Sequence, residues 1–261
     1  MSIEGGVTVE REDHILRIGL DRPQKYNSYT PRMARQLVAA MTELDEDPSL
    51  WVGVLHGHGK HFCAGLDLPL WTKVMSEGSV GKSPDGEVDP VGLGRACRKP
   101  IVTAVQGITF TVGIELALAG DIVIAADNCR FSQMEPSRGI HATGGATFRI
   151  PARSGWGNAM YHLLTSDEFD AAEAYRIGLV QEVVPVGEQL ARAMELAGRI
   201  AQQAPLAVQA TKASARRWFD HGPEACIAAL DPAQAVLMAS EDAAEGVASF
   251  IERRPARFSG R

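Results

Sequence analysis

The 261-residue sequence lacks most of what would place a chain outside the cell, in a membrane or on nucleic acid. Its four cysteines, Cys63, Cys97, Cys129 and Cys226, stand far apart with no CxxC pair, so neither a zinc knuckle nor a disulfide framework is readable and reduced cytoplasmic thiols are expected. A net charge of -6 leaves no basic excess, which argues against nucleic acid and anionic membrane as partners. The opening MSIEGGVTVEREDHIL places acids where a signal peptide needs a basic and then an apolar segment. One apolar stretch, residues 101–120, could pass for a span, but Gln106, its threonine and glycine breaks, Glu115 and the following Asp121 fit a buried strand, turn and helix instead.

Familiar catalytic motifs are missing too. There is no GxSxG elbow, so a serine hydrolase is not predicted. The GKS run at Gly81, Lys82 and Ser83 has Ser76 where a phosphate loop requires glycine, and no strand precedes it. His56, His58 and His61 have no acidic or thiolate partner at matching spacing, and no metal is predicted.

What is present reads as α/β. Val7 and Val9, then Leu16, Ile18 and Leu20, alternate across Glu12, Asp13 and His14 as a hairpin with one buried face. Thr30 and Pro31 open a helix whose Met33, Leu37, Met41 and Leu44 share a face until Asp47-Pro48 stops it. The runs WVGVL (51–55), IVTAV (101–105) and DIVIAA (121–126) then recur with intervening helix in the manner of parallel units. Residues 76–92 are rich in Gly, Ser, Pro and Asp and predict a mobile surface loop, and helices dominate after Asp170.

Two local features hint at chemistry. The turn HGHGKHFCAGLDL (56–68) follows a strand directly and packs glycines where backbone must lie bare. Glu115 in GIELALAG and Glu135 in FSQMEP are carboxylates in apolar surroundings, where burial raises the pKa unless a partner offsets it. A structural role in capping or bridging backbone is the alternative for each.

In combination, GLDRPQKYNS, HFCAGLDL, RKPIVTAVQG, GIELALAGDIVIAAD, FSQMEPSRGI, TGGATFRI, AYRIGLVQEVVP and GVASFIERRPARFSGR resemble the crotonase superfamily of enoyl-CoA hydratases and isomerases over nearly the whole chain. The resemblance implies a crotonase-like spiral of ββα units over residues 1–195 and a C-terminal helical oligomerisation or capping region over 196–261. It implies an oxyanion hole made by the N–H groups of Leu66 and Val112, with Asp67 fixing the turn. Glu115 would orient and deprotonate water while Glu135 donates a proton to C2. Coenzyme A would enter as part of the substrate, with no permanently bound cofactor. Its adenine would lie along residues 62–68, including Ala64, Asp67 and Leu68, and its phosphates near Arg22, Lys25, Lys60, Arg253 and Arg254. The acyl pocket would be lined by an irregular 69–95 region that includes Trp71 and Met75. A cytoplasmic homotrimer or dimer of trimers is the implied assembly. An isomerase working through Glu135 alone, or a non-catalytic acyl-CoA-binding module, are the alternatives. Thr111 and Val112 stand where the family has small residues, and His141 stands where it has proline.

Overall fold

The computed structural model describes residues 4–76 and 83–261. Gly81 and Lys82 of the GKS run lie outside the described residues, as does the side chain of Met75.

The chain opens with β1 (Gly6–Glu12) and β2 (Ile15–Asp21), an antiparallel hairpin that turns at Asp13. Thr30 caps α1 (Pro31–Glu46) by accepting the Met33 N–H at 3.1 Å, as the Thr-Pro pair predicts. Next come β3 (Val52–Gly57) and α2 (Leu68–Ser76). Then β4 (Ile101–Val105), β5 (Ile108–Phe110) and α3 (Val112–Ala119) lead to β6 (Ile122–Ala126) and β7 (Arg130–Ser132). Helices α4 (Ala146–Ser154) and α5 (Trp156–Thr165) precede β8 (Phe169–Asp170), α6 (Ala171–Arg176), β9 (Glu182–Val184) and α7 (Gln189–Ala201). The chain finishes with α8 (Pro205–Met238) and α9 (Glu241–Glu252).

The strands form two sheets, ordered β1-β2-β3-β4-β6-β9 and β5-β7-β8. Each of the pairs β4/β5 and β6/β7 places its first strand in the large sheet and its second in the small one, with both sets of neighbours parallel. Repetition of that step produces the expected spiral and stacks the turn after each second strand over the turn of the next unit.

On one face of the large sheet Leu16, Ile18, Leu20 and Leu55 pack with Met33, Leu37, Met41 and Leu44 of α1. On the other face Val52, Val54, Val102, Ala104 and Ile124 pack with Ala193 and Ala197 of α7. Strands buried on both faces account for the near-continuous apolar runs in the sequence. Because Ala193 and Ala197 share one core, a boundary between residues 195 and 196 cuts a helix that acts as a unit. Helix α7 thus packs on the large sheet along its whole length. Helix α8 kinks at Gly222 (φ 75°), and among its described residues only Pro205 is buried. It is tethered through Lys212, which pairs with Asp121 at 2.7 Å and donates to the Lys99 carbonyl at 2.9 Å. The four cysteines are unpaired, and Cys63, Cys97 and Cys129 are buried.

Candidate active site

The glycine-rich turn after β3 lies against β5. Cys63 bridges Thr109 in parallel register, the Cys63 N–H donates to Ile108 O at 3.1 Å, and the Phe110 N–H donates to Cys63 O at 2.9 Å. Tyr29 clamps the next residues from the other side, donating to Gly65 O at 2.8 Å and accepting from the Asp67 N–H at 2.9 Å. Those bonds fix both neighbours of Leu66, while among the described residues no carbonyl accepts from the Leu66 N–H itself. Gly65 is obligatory: its φ is +104°, and a Cβ would stand 2.6 Å from Thr111 Oγ1. A Cβ on Gly113 would likewise stand 2.8 Å from Cys63 O. These two close approaches bring the Leu66 turn against the start of α3.

Val112 is the first residue of α3, so its N–H has no acceptor within the helix and carries part of the positive end of the helix dipole. Thr111 before it has φ 50° and ψ -117°, a conformation that a β-branched residue adopts at a cost of about 1–3 kcal/mol. Its backbone is held there by the N–H bond to Ser132 O at 2.9 Å, which extends the β5/β7 register by one residue. The Leu66 turn and the start of α3 thus lie against one another, and among the described residues neither the Leu66 nor the Val112 N–H has a backbone acceptor.

Glu115 lies in the first turn of α3 and is buried. Its Oε1 accepts from the Gly144 N–H at 2.7 Å and from the Ala146 N–H at 3.2 Å. Both bonds go to one oxygen, which leaves Oε2 for a further partner. Burial pushes the carboxyl upward from its ordinary value, and the two N–H groups, Arg149 and His141 oppose that shift. Gly144 must be glycine, because a Cβ there would stand 2.3 Å from Glu115 Oε2.

Glu135 follows β7, where the chain enters a short 3-10 turn at Pro136. It is half-buried, and burial pushes its carboxyl up to about 7, with the Glu115 carboxylate acting in the same direction. The buried Gln133 amide faces Glu135, its nearer end atom lying 3.1 and 2.8 Å from the two carboxyl oxygens. The site thus holds one carboxyl braced by N–H donors and a second that gains a proton easily near neutral pH.

The remaining predicted residues divide. Asp67 accepts from Arg22 Nη1 at 2.7 Å, and Arg22 also reaches Ser28 Oγ at 2.7 Å. Arg22 is only 3 % exposed, and its guanidinium braces the Leu66 turn from inside through Asp67. Lys25 and Lys60 are exposed, as is Leu68, and the Ala64 N–H is taken by Tyr26 O at 3.0 Å. Arg254 is already paired with Glu245 and Glu252 at 2.6 and 2.5 Å, while Arg253 ends α9 at φ 56° with its side chain exposed. Trp71 lies in the helix α2 rather than in irregular chain; it is buried, and its indole N–H donates to Tyr29 O at 2.7 Å, which supports the Leu66 turn from the core. His141 is exposed and bonded to Ala142 O at 3.0 Å. Gly144, Ala146 and Gln133 carry roles that residue-by-residue reading did not assign. Their signal was the glycine pair that opens a helix in TGGATFRI and the glutamine two residues before the acid in FSQME.

Comparison with known proteins gives a consistent picture. The family model described as enoyl-CoA hydratase/isomerase matches residues 10–261. Enoyl-CoA hydratase EchA19 of Mycobacterium tuberculosis H37Rv is 34 % identical over 268 residues, covering 100 % of this chain and 99 % of that protein. Among solved structures, one described as a probable enoyl-CoA hydratase/isomerase from Mycobacterium abscessus has a TM-score of 0.94 at 46 % identity and covers 98 % of both chains. An enoyl-CoA hydratase from Mycobacterium tuberculosis H37Rv has a TM-score of 0.88 at 36 % identity, covering 98 % of this chain and 99 % of that one.

Proposed function

The chain belongs to the enoyl-CoA hydratase/isomerase family, and from that premise we propose that it adds water across the 2,3 double bond of an enoyl-CoA thioester. The observation that carries the reading is the pairing of unequal carboxyls, Glu115 braced by N–H donors and Glu135 pushed up to about 7, beside the Leu66 and Val112 turns.

Water held at Glu115 Oε2 attacks C3 and gives one proton to that carboxylate. The π electrons move through C2 to the thioester oxygen, where the Leu66 and Val112 N–H groups receive the enolate. The loss of one such donor from a preorganised hole costs about 2.7–4 kcal/mol of transition-state stabilisation. The enolate then collapses and C2 takes the proton of Glu135, so that one water has been added and the two acids have exchanged protonation states. A carboxyl near 7 is well matched to donation at neutral pH. An isomerase would need one proton-carrying acid; the free oxygen of Glu115 favours a bound water.

Coenzyme A is the substrate's carrier in this reading, its adenine along Ala64, Asp67 and Leu68 and its phosphates near the exposed Lys25, Lys60 and Arg253. A homotrimer or dimer of trimers is supported by the apolar residues that α8 and α9 turn outward, among them Phe219 at 73 % and Phe250 at 85 % exposed. A cytoplasmic location is supported by the unpaired thiols, and among the described residues no helix is long and apolar enough to cross a membrane.

Purified protein mixed with short, medium and aromatic 2-enoyl-CoA thioesters should bleach the conjugated enoyl-thioester absorbance. The reading fails if none of these substrates is hydrated.

A further inference from the structure

The structure assigns Arg149 a task that the catalytic groups themselves leave open: we infer that it is a positioning residue, whose guanidinium fork locks the Gly144 backbone and the Val91–Gly92 turn together so that Glu115 meets fixed N–H donors. The inference deepens the proposed function and rests on its placing of Glu115 at the reacting water.

Arg149 lies in α4, the helix whose first residue, Ala146, donates to Glu115. The side chain folds back over the start of its own helix. Its Nη1 donates to Gly144 O at 2.9 Å, across the residue whose N–H serves Glu115 Oε1 at 2.7 Å. Its Nη2 reaches Val91 O at 2.5 Å and Gly92 O at 3.3 Å. Gly145 makes room for the fork: its φ is +103°, and a Cβ there would stand 2.3 Å from Nη1. The Phe148 ring sits 5.0 Å from the guanidinium carbon and helps to hold the plane.

The far end of the fork is anchored as firmly. The turn at Val91 and Gly92 is built on the buried Asp89, which accepts from the Val91 N–H at 2.9 Å and the Gly94 N–H at 3.0 Å. Arg149 is therefore strung between a rigid turn and the glycine that touches the carboxylate. An ammonium is a point charge and cannot hold three carbonyls in this planar arrangement. The charged groups that act on Arg149 are Glu115 of α3, Asp89 of the turn, Arg153 of its own helix and Arg216 of α8. His141 acts with it on Glu115.

The test uses the full-length protein and two variants, Arg149→Lys and Arg149→Gln, with folding checked by near-ultraviolet circular dichroism. Hydration kinetics are read beside the carbon-13 Cδ signal of Glu115, which Glu115→Gln identifies in glutamate-labelled protein. The lysine variant should keep a cation but lose the fork, lowering kcat about 10- to 100-fold while KM for the enoyl-CoA stays within about twofold, since small displacements cost rate more than binding. The glutamine variant should lose rate at least as far. Its Glu115 signal should titrate at higher pH than in wild type, because a nearby cation that favoured the ionised form is gone.

A fall in kcat of tenfold or more in the lysine variant, with a displaced Glu115 signal, supports the assignment, and any smaller fall or an unmoved signal overturns it. If Arg149→Gln does not fold, Arg149→Lys decides alone. Should wild-type protein hydrate no enoyl-CoA, the proposed reaction is lost, and the Cδ signal still decides whether Arg149 positions Glu115.

Discussion

Glu115 and Glu135 are the same amino acid in two differently built places. The first sits in the opening turn of α3 and takes N–H bonds from the α4 start through a single oxygen. The second sits at the exit of β7, faced by one glutamine amide, with burial and its neighbour's charge both driving it toward the protonated form. Burial raises both carboxyls, but at the junction of α3 with the α4 start two N–H donors oppose the rise, whereas at the strand exit the neighbouring carboxylate adds to it. The difference between the two carboxyls is thus set by local architecture, with side-chain chemistry held constant.

The sharpest way to break this contrast is Glu115→Gln, which keeps the hydrogen-bonding shape and removes the base. Hydration followed by enoyl-thioester absorbance should fall about 10²- to 10⁴-fold, the usual contribution of a positioned acid or base. Migration of a 3-enoyl to a 2-enoyl double bond should survive far better, and equal loss of both activities would make the two carboxyls equivalent.

Glu135→Gln tests the other side. In wild type kcat/KM should decline as pH rises through about 7, because the donor loses its proton there. The variant should be slower by a factor of about 10² or more, and its residual rate should lack that limb. Stability has a defined sign as well. A folded carboxyl at about 7 against an ordinary 4.5 makes the folded chain bind the extra proton between those values, so wild type loses stability as pH rises across that window. Melting curves at pH 5 and pH 8 should show Glu135→Gln gaining on wild type at the higher pH.

A finer cut leaves both acids in place. Gly144→Ala puts a methyl 2.3 Å from Glu115 Oε2 and should lower kcat about 10- to 100-fold by turning the carboxylate aside. Because the Glu115 charge helps to raise Glu135, the Glu135 limb of the pH profile should move to lower pH as that charge is displaced, and an unmoved limb would show the two places to be independent.

The smallest effect is expected from Thr111→Gly. Releasing a β-branched residue from φ 50° should raise stability by about 1 kcal/mol or less after the entropy of glycine is counted, measurable as a small increase in Tm. Hydration should change little, because the Val112 N–H remains.

Much of this architecture was legible because the strands and α1 carry strong periodic signals that packing does not override. The hairpin, the α1 cap and the helical tail appear where alternation, Thr30-Pro31 and Pro205 place them. Glu115 stood out as a carboxylate in an apolar run, a signal of burial that composition alone can give. The Arg22–Asp67 bond was not legible, because a charge beside a turn looks the same in sequence whether it faces solvent or pairs with an acid 45 residues away. The helix that carries Trp71 was hidden for a related reason: its segment is poor in pattern, and the indole bond to Tyr29 O spans 42 residues. Gly144, Ala146 and Arg149 are joined to Glu115 by tertiary contacts across about thirty residues, a range at which periodicity carries no information.

The backbone that presents the Leu66 and Val112 amides is pinned by Tyr29 from one stretch of chain and by Ser132 from another. No local segment owns this site, so it can exist only after pieces more than a hundred residues apart have met.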